Sequence, residues 1–315
     1  MSLRGAVVLA SGALLLLGVD AQAAGRGAPR ESWAAEARAA ARRGGPIGAE
    51  GARVGQVRLL TYNVAGLPWV VTGERRHVAM PRIGELLNDF PLALVQEDFA
   101  WHDDLARFSR HTYRSRPGSA GWTLYADGLS AFSRLPLAPV RREAWESCHG
   151  IFSANSDCLA NKGFSMDEVA LGDGVFGHVV NLHGDAGKRR ADKRSRARQF
   201  AQLARALRQT SRGQALIVAG DTNLKGGDVD DERIFARFLR NTGLRDACRS
   251  LGCGDERIDR VLFRGSSDLE LRATDWRIDE RFIDPTGRAL SDHAAVAVTL
   301  AWRLRSPRAA RHTAR

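Results

Sequence analysis

Asn63 closes the β-rich run at residues 57–62, and Glu97 closes the apolar run at residues 91–96. His183 ends a third such run, and Asp221 follows Leu216-Ile217-Val218-Ala219-Gly220. A buried strand end is a rigid platform, so polar groups from several strand ends can converge on one crevice. The chemistry open to such a set is hydrolysis of a phosphate diester. That reaction needs charge neutralisation on the phosphoryl oxygens, a nucleophilic water and help for the leaving oxygen. A hard divalent cation serves the first and third and prefers oxygen ligands.

Glu97 is the candidate cation ligand, a carboxylate ending an apolar strand. In Gly220-Asp221-Thr222-Asn223, Asp221 can polarise water while Asn223 holds a phosphoryl oxygen. Ser291-Asp292-His293 precedes the last apolar run. His293 suits a general base, since an imidazole titrates near neutrality. Asp259, in Ile258-Asp259-Arg260, is the expected orienter of His293, and Asp292 is expected to face the cation. His183 can stabilise the charge of the transition state, with Asp185 two residues on holding that histidine or a second ion.

These residues must be carried by alternating strands and helices. Strands are expected at residues 57–62, 91–96, 128–133, 162–171, 174–182, 215–219, 257–263 and 294–302. A helix is expected at residues 82–89. Residues 193–208 form an amphipathic helix, with Ala197, Phe200, Ala201, Ala204 and Leu207 on one face and arginine on the other.

The N-terminus has a short basic stub, an apolar run over residues 5–19 and Ala21-Gln22-Ala23, the layout of a secretory signal peptide. The expected organisation is a signal peptide at 1–23, a linker at 24–54, one folded domain at 55–303 and a basic tail at 304–315. The protein is therefore expected to be secreted or periplasmic. Export favours disulfides, and local pairing of Cys148 with Cys158 and of Cys248 with Cys253 is the simplest of three connectivities. The formal charge of +11 suits an anionic partner. However, all but four of the 47 basic residues are arginine, as a GC-rich genome would also produce.

In this order, Thr61-Tyr62-Asn63, Gln96-Glu97, His183, Gly220-Asp221-Thr222-Asn223, Ile258-Asp259 and Ser291-Asp292-His293 resemble the endonuclease/exonuclease/phosphatase superfamily. The resemblance implies an α/β fold, a four-layer sandwich of two central β-sheets flanked by helices, with the site at the strand ends. Cys148-His149-Gly150 leading to Asn161-Lys162-Gly163-Phe164 is similar to the bacterial neutral sphingomyelinase C branch. That likeness implies cleavage of a phosphodiester between lipid and headgroup, with Mg2+ or another divalent cation. By the same resemblance Glu97 binds the metal, Asn63 assists it and His293 activates water, with Asp292 as the further expected metal-facing residue. Asn223, Lys162 and Asp185 then make up the substrate-binding set. The implied partner is a phospholipid at a membrane surface, with nucleic acid as the alternative; no protein partner is inferred. Residues 265–290 hold Trp276 and Phe282 as their only aromatics, in place of the aromatic docking hairpin of the secreted branch. Residues 69–71, Trp-Val-Val, are expected to lie partly buried in a loop.

Overall fold

The structure is a computed structural model that describes residues 54–68, 76–121, 123–150, 157–172, 174–254 and 257–305. The expected signal peptide, the linker up to residue 53 and the Trp69-Val70-Val71 loop lie outside the described residues, as does nearly all of the tail; Val54, placed in the linker, opens the first strand.

Two parallel strand pairs organise the molecule. In the first sheet, β1 (Val54–Asn63) runs parallel to β2 (Leu92–Gln96), with Asn63 opposite Gln96. In the second, β7 (Val175–His183) runs parallel to β8 (Leu216–Asp221), with His183 opposite Asp221. Each pair therefore delivers its polar last residues to one edge. The first sheet is completed by β3 (Tyr113–Ser115), β4 (Ser130–Ser133), β11 (Leu269–Ile278) and β12 (Val296–Leu304), in the order β11-β12-β1-β2-β4-β3. The second adds β5 (Leu137–Ala144), β6 (Gly163–Gly172), β9 (Arg245–Asp246) and β10 (Asp259–Arg264), in the order β5-β6-β7-β8-β10-β9.

Alternation along the strands makes four layers. Leu59, Leu92 and Leu94 pack between the sheets against Val179, Ile217 and Phe263. Their neighbours Leu60, Ala93 and Val95 turn outward onto Met80, Ile83 and Leu87 of α1 (Arg76–Leu87). On the other side Val180, Leu182 and Val218 meet Phe200 and Leu203 of α3 (Arg190–Thr210) and Phe238 of α4 (Val229–Thr242). Two short helices, α2 (His102–Arg107) and α5 (Ala247–Leu251), complete the set. The period-2 pattern of strands buried on both faces thus specifies a sheet-on-sheet core with helices outside.

Some elements differ from the sequence expectation. The first helix begins six residues earlier, at Arg76, and carries Pro81 within it. Helix α4 is capped by Asp228, whose side chain accepts from the backbone N–H groups of Asp230 and Asp231, and is closed by left-handed Gly243. Strand β11 lies within residues 265–290, where no strand was expected. Its Leu269, Leu271 and Ala273 point inward between exposed Arg272 and Thr274. Trp276 packs partly buried on the inter-sheet core, and buried Phe282 meets Tyr62 edge-on, so neither aromatic of this stretch forms a docking tip. Cys148 pairs with Cys158 and Cys248 with Cys253, with Cα–Cα distances of 5.4 and 5.0 Å.

Candidate active site

Asp221 sits at the centre of the edge where the strands end. His183 flanks it across the parallel ladder and Asp259 across the antiparallel one, because β10 begins opposite the last residue of β8. The preceding Gly220 has φ +144, and a Cβ there would lie 2.0 Å from Leu182 O. Only glycine lets the two strands run this close to the point where Asp221 must emerge.

Asp221 is 1% exposed, and both of its carboxylate oxygens accept hydrogen bonds. Oδ1 accepts from the Asn223 backbone N–H (2.9 Å). Oδ2 accepts from Asn63 Nδ2 (3.1 Å) and Asn223 Nδ2 (3.2 Å), with His183 Nε2 at 3.4 Å. Burial opposes its charge, but the hydrogen bond and charge of His183, with the charges of His293 and Lys162, hold it well below the usual carboxylate range. Glu97 approaches from the other sheet. Its Oε1 accepts from the same Asn63 Nδ2 (3.0 Å) and lies 3.7 Å from His183 Nε2. One amide and one imidazole are thus shared between two carboxylates from different sheets. His183 Nδ1, buried, has no hydrogen-bond partner among the described residues.

His293 joins from the segment before β12. Its Nδ1 lies 2.9 and 3.1 Å from the two oxygens of Asp259, leaving Nε2 toward Asn63 (3.4 Å) and Asp221 (3.7 Å). Burial works against its protonation, yet the Asp259 hydrogen bond and the charges of Asp221, Asp259 and Asp292 raise its pKa to about 10. Burial raises Asp259 itself to about 6 against the pull of the His293 hydrogen bond. At neutral pH the proton of this pair therefore belongs to the imidazole.

The backbone is strained where the site needs it. The non-glycine residues with positive φ among the described residues are Ala65, Glu97 and Asn223, at +48, +55 and +51. All three lie within two residues of Asn63, Glu97 or Asp221, and such conformations persist only where surrounding structure enforces them. Asn63 Oδ1 accepts from Ala65 N (3.0 Å), and Asn223 Nδ2 also donates to Gly184 O (3.1 Å). Buried Arg76 donates to Leu290 O (2.7 Å) and Val64 O (3.3 Å), and Ser291 Oγ donates to Asn63 O (2.7 Å). The His293 segment is thereby tied to the end of β1.

Two residues stand apart from their expected places. Asp185 is fully buried; its Oδ2 accepts from His149 N (2.9 Å) and its own N–H donates to Gln199 Oε1 (3.0 Å). It joins two loops beneath the surface and offers no oxygen to a substrate. Asp292 is exposed, and its carboxylate takes a hydrogen bond from Ser291 Oγ (3.3 Å); it adds negative field at His293 without entering the cluster. Lys162 lies at the flank, its Nζ 2.5 Å from Asp157 Oδ1. Burial lowers its pKa less than Asp157, Glu97 and Asp221 raise it, so it stays charged.

Sequence reading missed Gln96 and Asn181, which cross-link the two sheets behind Glu97 and His183, and Arg196. Arg196 is fully buried on Asp231 (2.8 Å) and donates to the carbonyls of Asp185, Ala186 and Gly187. A run of arginines on one helix gave no sign that one of them faces inward.

The donors suit a hard cation. Asp221, Asp259 and His293 offer ligand atoms within 4.8 Å of one another, and Glu97 adds a third carboxylate on the opposite sheet. Burial raises Asp259, the nearby charge of Asp221 adds to that rise, and a dication would offset the repulsion between the two carboxylates.

The model of the Endonuclease/Exonuclease/phosphatase family matches residues 60–293, and the chain belongs to that family. A sphingomyelinase of Mycobacterium tuberculosis is 29% identical over 267 residues, covering 78% of this chain and 52% of that protein. The chain thus spans about half the length of this curated relative. Sphingomyelinase C from Streptomyces griseocarneus superposes with a TM-score of 0.59 at 19% identity, over 78% of this chain and 99% of that one. A mutant beta toxin from Staphylococcus aureus with bound magnesium ions gives 0.58 at 16%, over 78% and 99%. At these identities the solved structures establish the two-sheet fold.

Proposed function

We propose that the protein is a metal-dependent phosphodiesterase that hydrolyses the headgroup phosphodiester of a lipid, in the manner of a sphingomyelinase C. The observation that carries this reading is the pair His293 Nδ1–Asp259 Oδ2 at 2.9 Å, with Nε2 facing Asp221 and Asn63. It is a histidine oriented by one carboxylate and aimed at a cluster of phosphate-chemistry groups.

In this mechanism Glu97, assisted by Asn63, holds a divalent cation such as Mg2+, which supplies charge neutralisation on the phosphoryl oxygens. Asp259 fixes the imidazole of His293 with its Nδ1–H inward, so that Nε2 takes the proton of the attacking water. Asp221, pinned by the Asn223 N–H, orients that water. The Lys162 ammonium binds a phosphoryl oxygen, while the Asn223 amide, which donates to Asp221 Oδ2 and Gly184 O, holds the Asp221 carboxylate in place. His183 Nε2–H, pointing between Glu97 and Asp221, stabilises charge that builds up as the phosphorus is attacked. A cation held by Glu97 would offset the negative field of Asp221, Asp259 and Asp292 that raises the pKa of His293.

The mycobacterial relative, named as a sphingomyelinase, supports the lipid substrate. The apolar N-terminal run and two cysteine pairs support a secreted or periplasmic protein. Among the described residues no helix is long and apolar enough to cross a membrane. The excess of basic residues favours a second reading, a nuclease cleaving nucleic-acid phosphodiesters. Purified protein given sphingomyelin, phosphatidylcholine and duplex DNA, each with and without chelator, separates the two. Chelator-sensitive headgroup release is expected, and DNA cleavage without headgroup release would overturn the lipid reading.

A further inference from the structure

Helices α3 and α4 run side by side on the outer face of the second sheet and leave a groove of about 780 Å³ between them. The floor is apolar. Ala197 and Ala201 are exposed there, small enough to keep the groove open, and Phe238 and Ile234 close it from α4. The rim is cationic, with seven arginines and one lysine against the single carboxylate of Asp230.

Asp230 is already taken by Lys193 (3.4 Å) and Arg233 (3.3 Å), and Arg205 pairs with Glu146 (2.8 Å). Arg190, Arg194, Arg208, Arg237 and Arg240 are all exposed and have no ion-pair partner among the described residues. Arg190 and Arg194 recur at helical spacing on one helix and Arg237 and Arg240 on the other, so the charge is presented on one face. A composition rich in arginine scatters charge; it does not gather unpaired guanidinium groups around an apolar trough.

We infer that this groove docks the protein on an anionic lipid bilayer, the arginines taking lipid phosphates and the alanine floor taking the glycerol and upper acyl carbons. Guanidinium groups bind phosphate in a planar fork, and apolar surface beneath them rewards insertion below the headgroups. Nucleic acid fits less well, because both phenylalanines of the groove, Phe200 and Phe238, are buried and present no face on which a base could stack. Strands β7 and β8 end at the site and lead directly into α3 and α4, so the groove starts at the site's end of the fold. It makes no use of the groups assigned to catalysis, and docking is independent of which phosphodiester is cleaved.

The test uses the purified chain, with chelator present, and vesicles of phosphatidylcholine alone or of equal parts phosphatidylcholine and phosphatidylglycerol. Cosedimentation is expected with the anionic vesicles and to weaken at high salt. The triple variant Arg194→Gln, Arg208→Gln, Arg237→Gln should partition less, by roughly five-fold for each arginine removed. Ala201→Glu, which keeps every arginine, should also weaken binding. Both variants should keep wild-type turnover of a soluble phosphodiester. Unchanged vesicle binding by both variants, or binding lost only when residues 306–315 are deleted, would overturn the inference. Variants that lose affinity for duplex DNA but not for vesicles would overturn it in favour of nucleic acid. Loss of turnover on every substrate with vesicle binding intact would instead count against the catalytic reading.

Discussion

Gln96 Nε2 donates to Asn181 Oδ1 at 2.7 Å, joining the two sheets one residue before Glu97 and two before His183. Asn181 Nδ2 also donates to Val95 O (2.9 Å) and Ser130 O (3.0 Å), and Gln96 Nε2 reaches Thr61 Oγ1 (3.2 Å). All three side chains are buried, so this small polar network fixes the spacing between the strand ends that carry Glu97 and His183.

Asn181→Leu should therefore damage both stability and rate. It strips Gln96 of its best acceptor and leaves two buried carbonyls short of a donor, at about 1–3 kcal/mol per unsatisfied group. At this chain length each kcal/mol moves Tm by about 2–4 °C. A melt should show that fall, and kinetics should show kcat lowered more than KM is raised, because catalytic groups shift while the binding surface stays. Wild-type kcat in a folded variant would remove the network from the positioning of the site.

A second prediction concerns Asp167 on β6, away from the site. It is 6% exposed, and burial raises its pKa to about 6, with Arg142 offsetting part of the shift. The folded state thus binds this proton more tightly than the unfolded chain, and stability is lost as pH rises from near 4 through about 6. Asp167→Asn should be close to neutral at pH 4 and more stable than wild type at pH 8, by as much as about 3 kcal/mol. Denaturant melts across that range check it, and a variant less stable than wild type at pH 8 would contradict the assignment.

Lys162 gives a third. Its ammonium pairs with Asp157, whose Oδ2 accepts from Ala186 N (3.0 Å), and its charge is felt by Glu97 and Asp221. If it binds a phosphoryl oxygen, Lys162→Met should lower kcat/KM on the order of 100-fold, the scale of losing one charged donor at a reacting phosphate or carbonyl. Lys162→Arg should recover part of that loss. A Lys162→Met variant within a factor of two of wild type would make the lysine a structural partner of Asp157 alone.

Much of this layout was legible in the sequence because it is local. Asn63, Glu97, His183 and Asp221 each follow an apolar run, and a strand end is both a sequence feature and a geometric one. The Ile258-Asp259 and Ser291-Asp292-His293 motifs placed the His293–Asp259 pair, 34 positions apart in the chain, without any need to see the segment between them fold. Contacts that depend on two distant strands were not legible. Gln96 and Asn181 lie 85 residues apart in separate sheets, and each alone reads as an ordinary polar residue in a strand. Asp185 and Asp292 sit beside the right histidines, but adjacency in the chain does not fix which way a loop carboxylate turns. One faces inward to His149 N and the other outward to solvent. Strand β11 hid behind its charges, although its Leu-x-Leu-x-Ala alternation was present.

The most direct test is headgroup release from sphingomyelin by wild type and His293→Ala as Mg2+ is titrated into chelated protein. Wild type should rise from no turnover to full rate with added Mg2+. His293→Ala should stay lower by about 100- to 10,000-fold at every concentration, the scale of losing a general base. Rapid release by the variant, or release by wild type in chelator, would contradict a mechanism in which His293, held by Asp259, takes the proton of the attacking water.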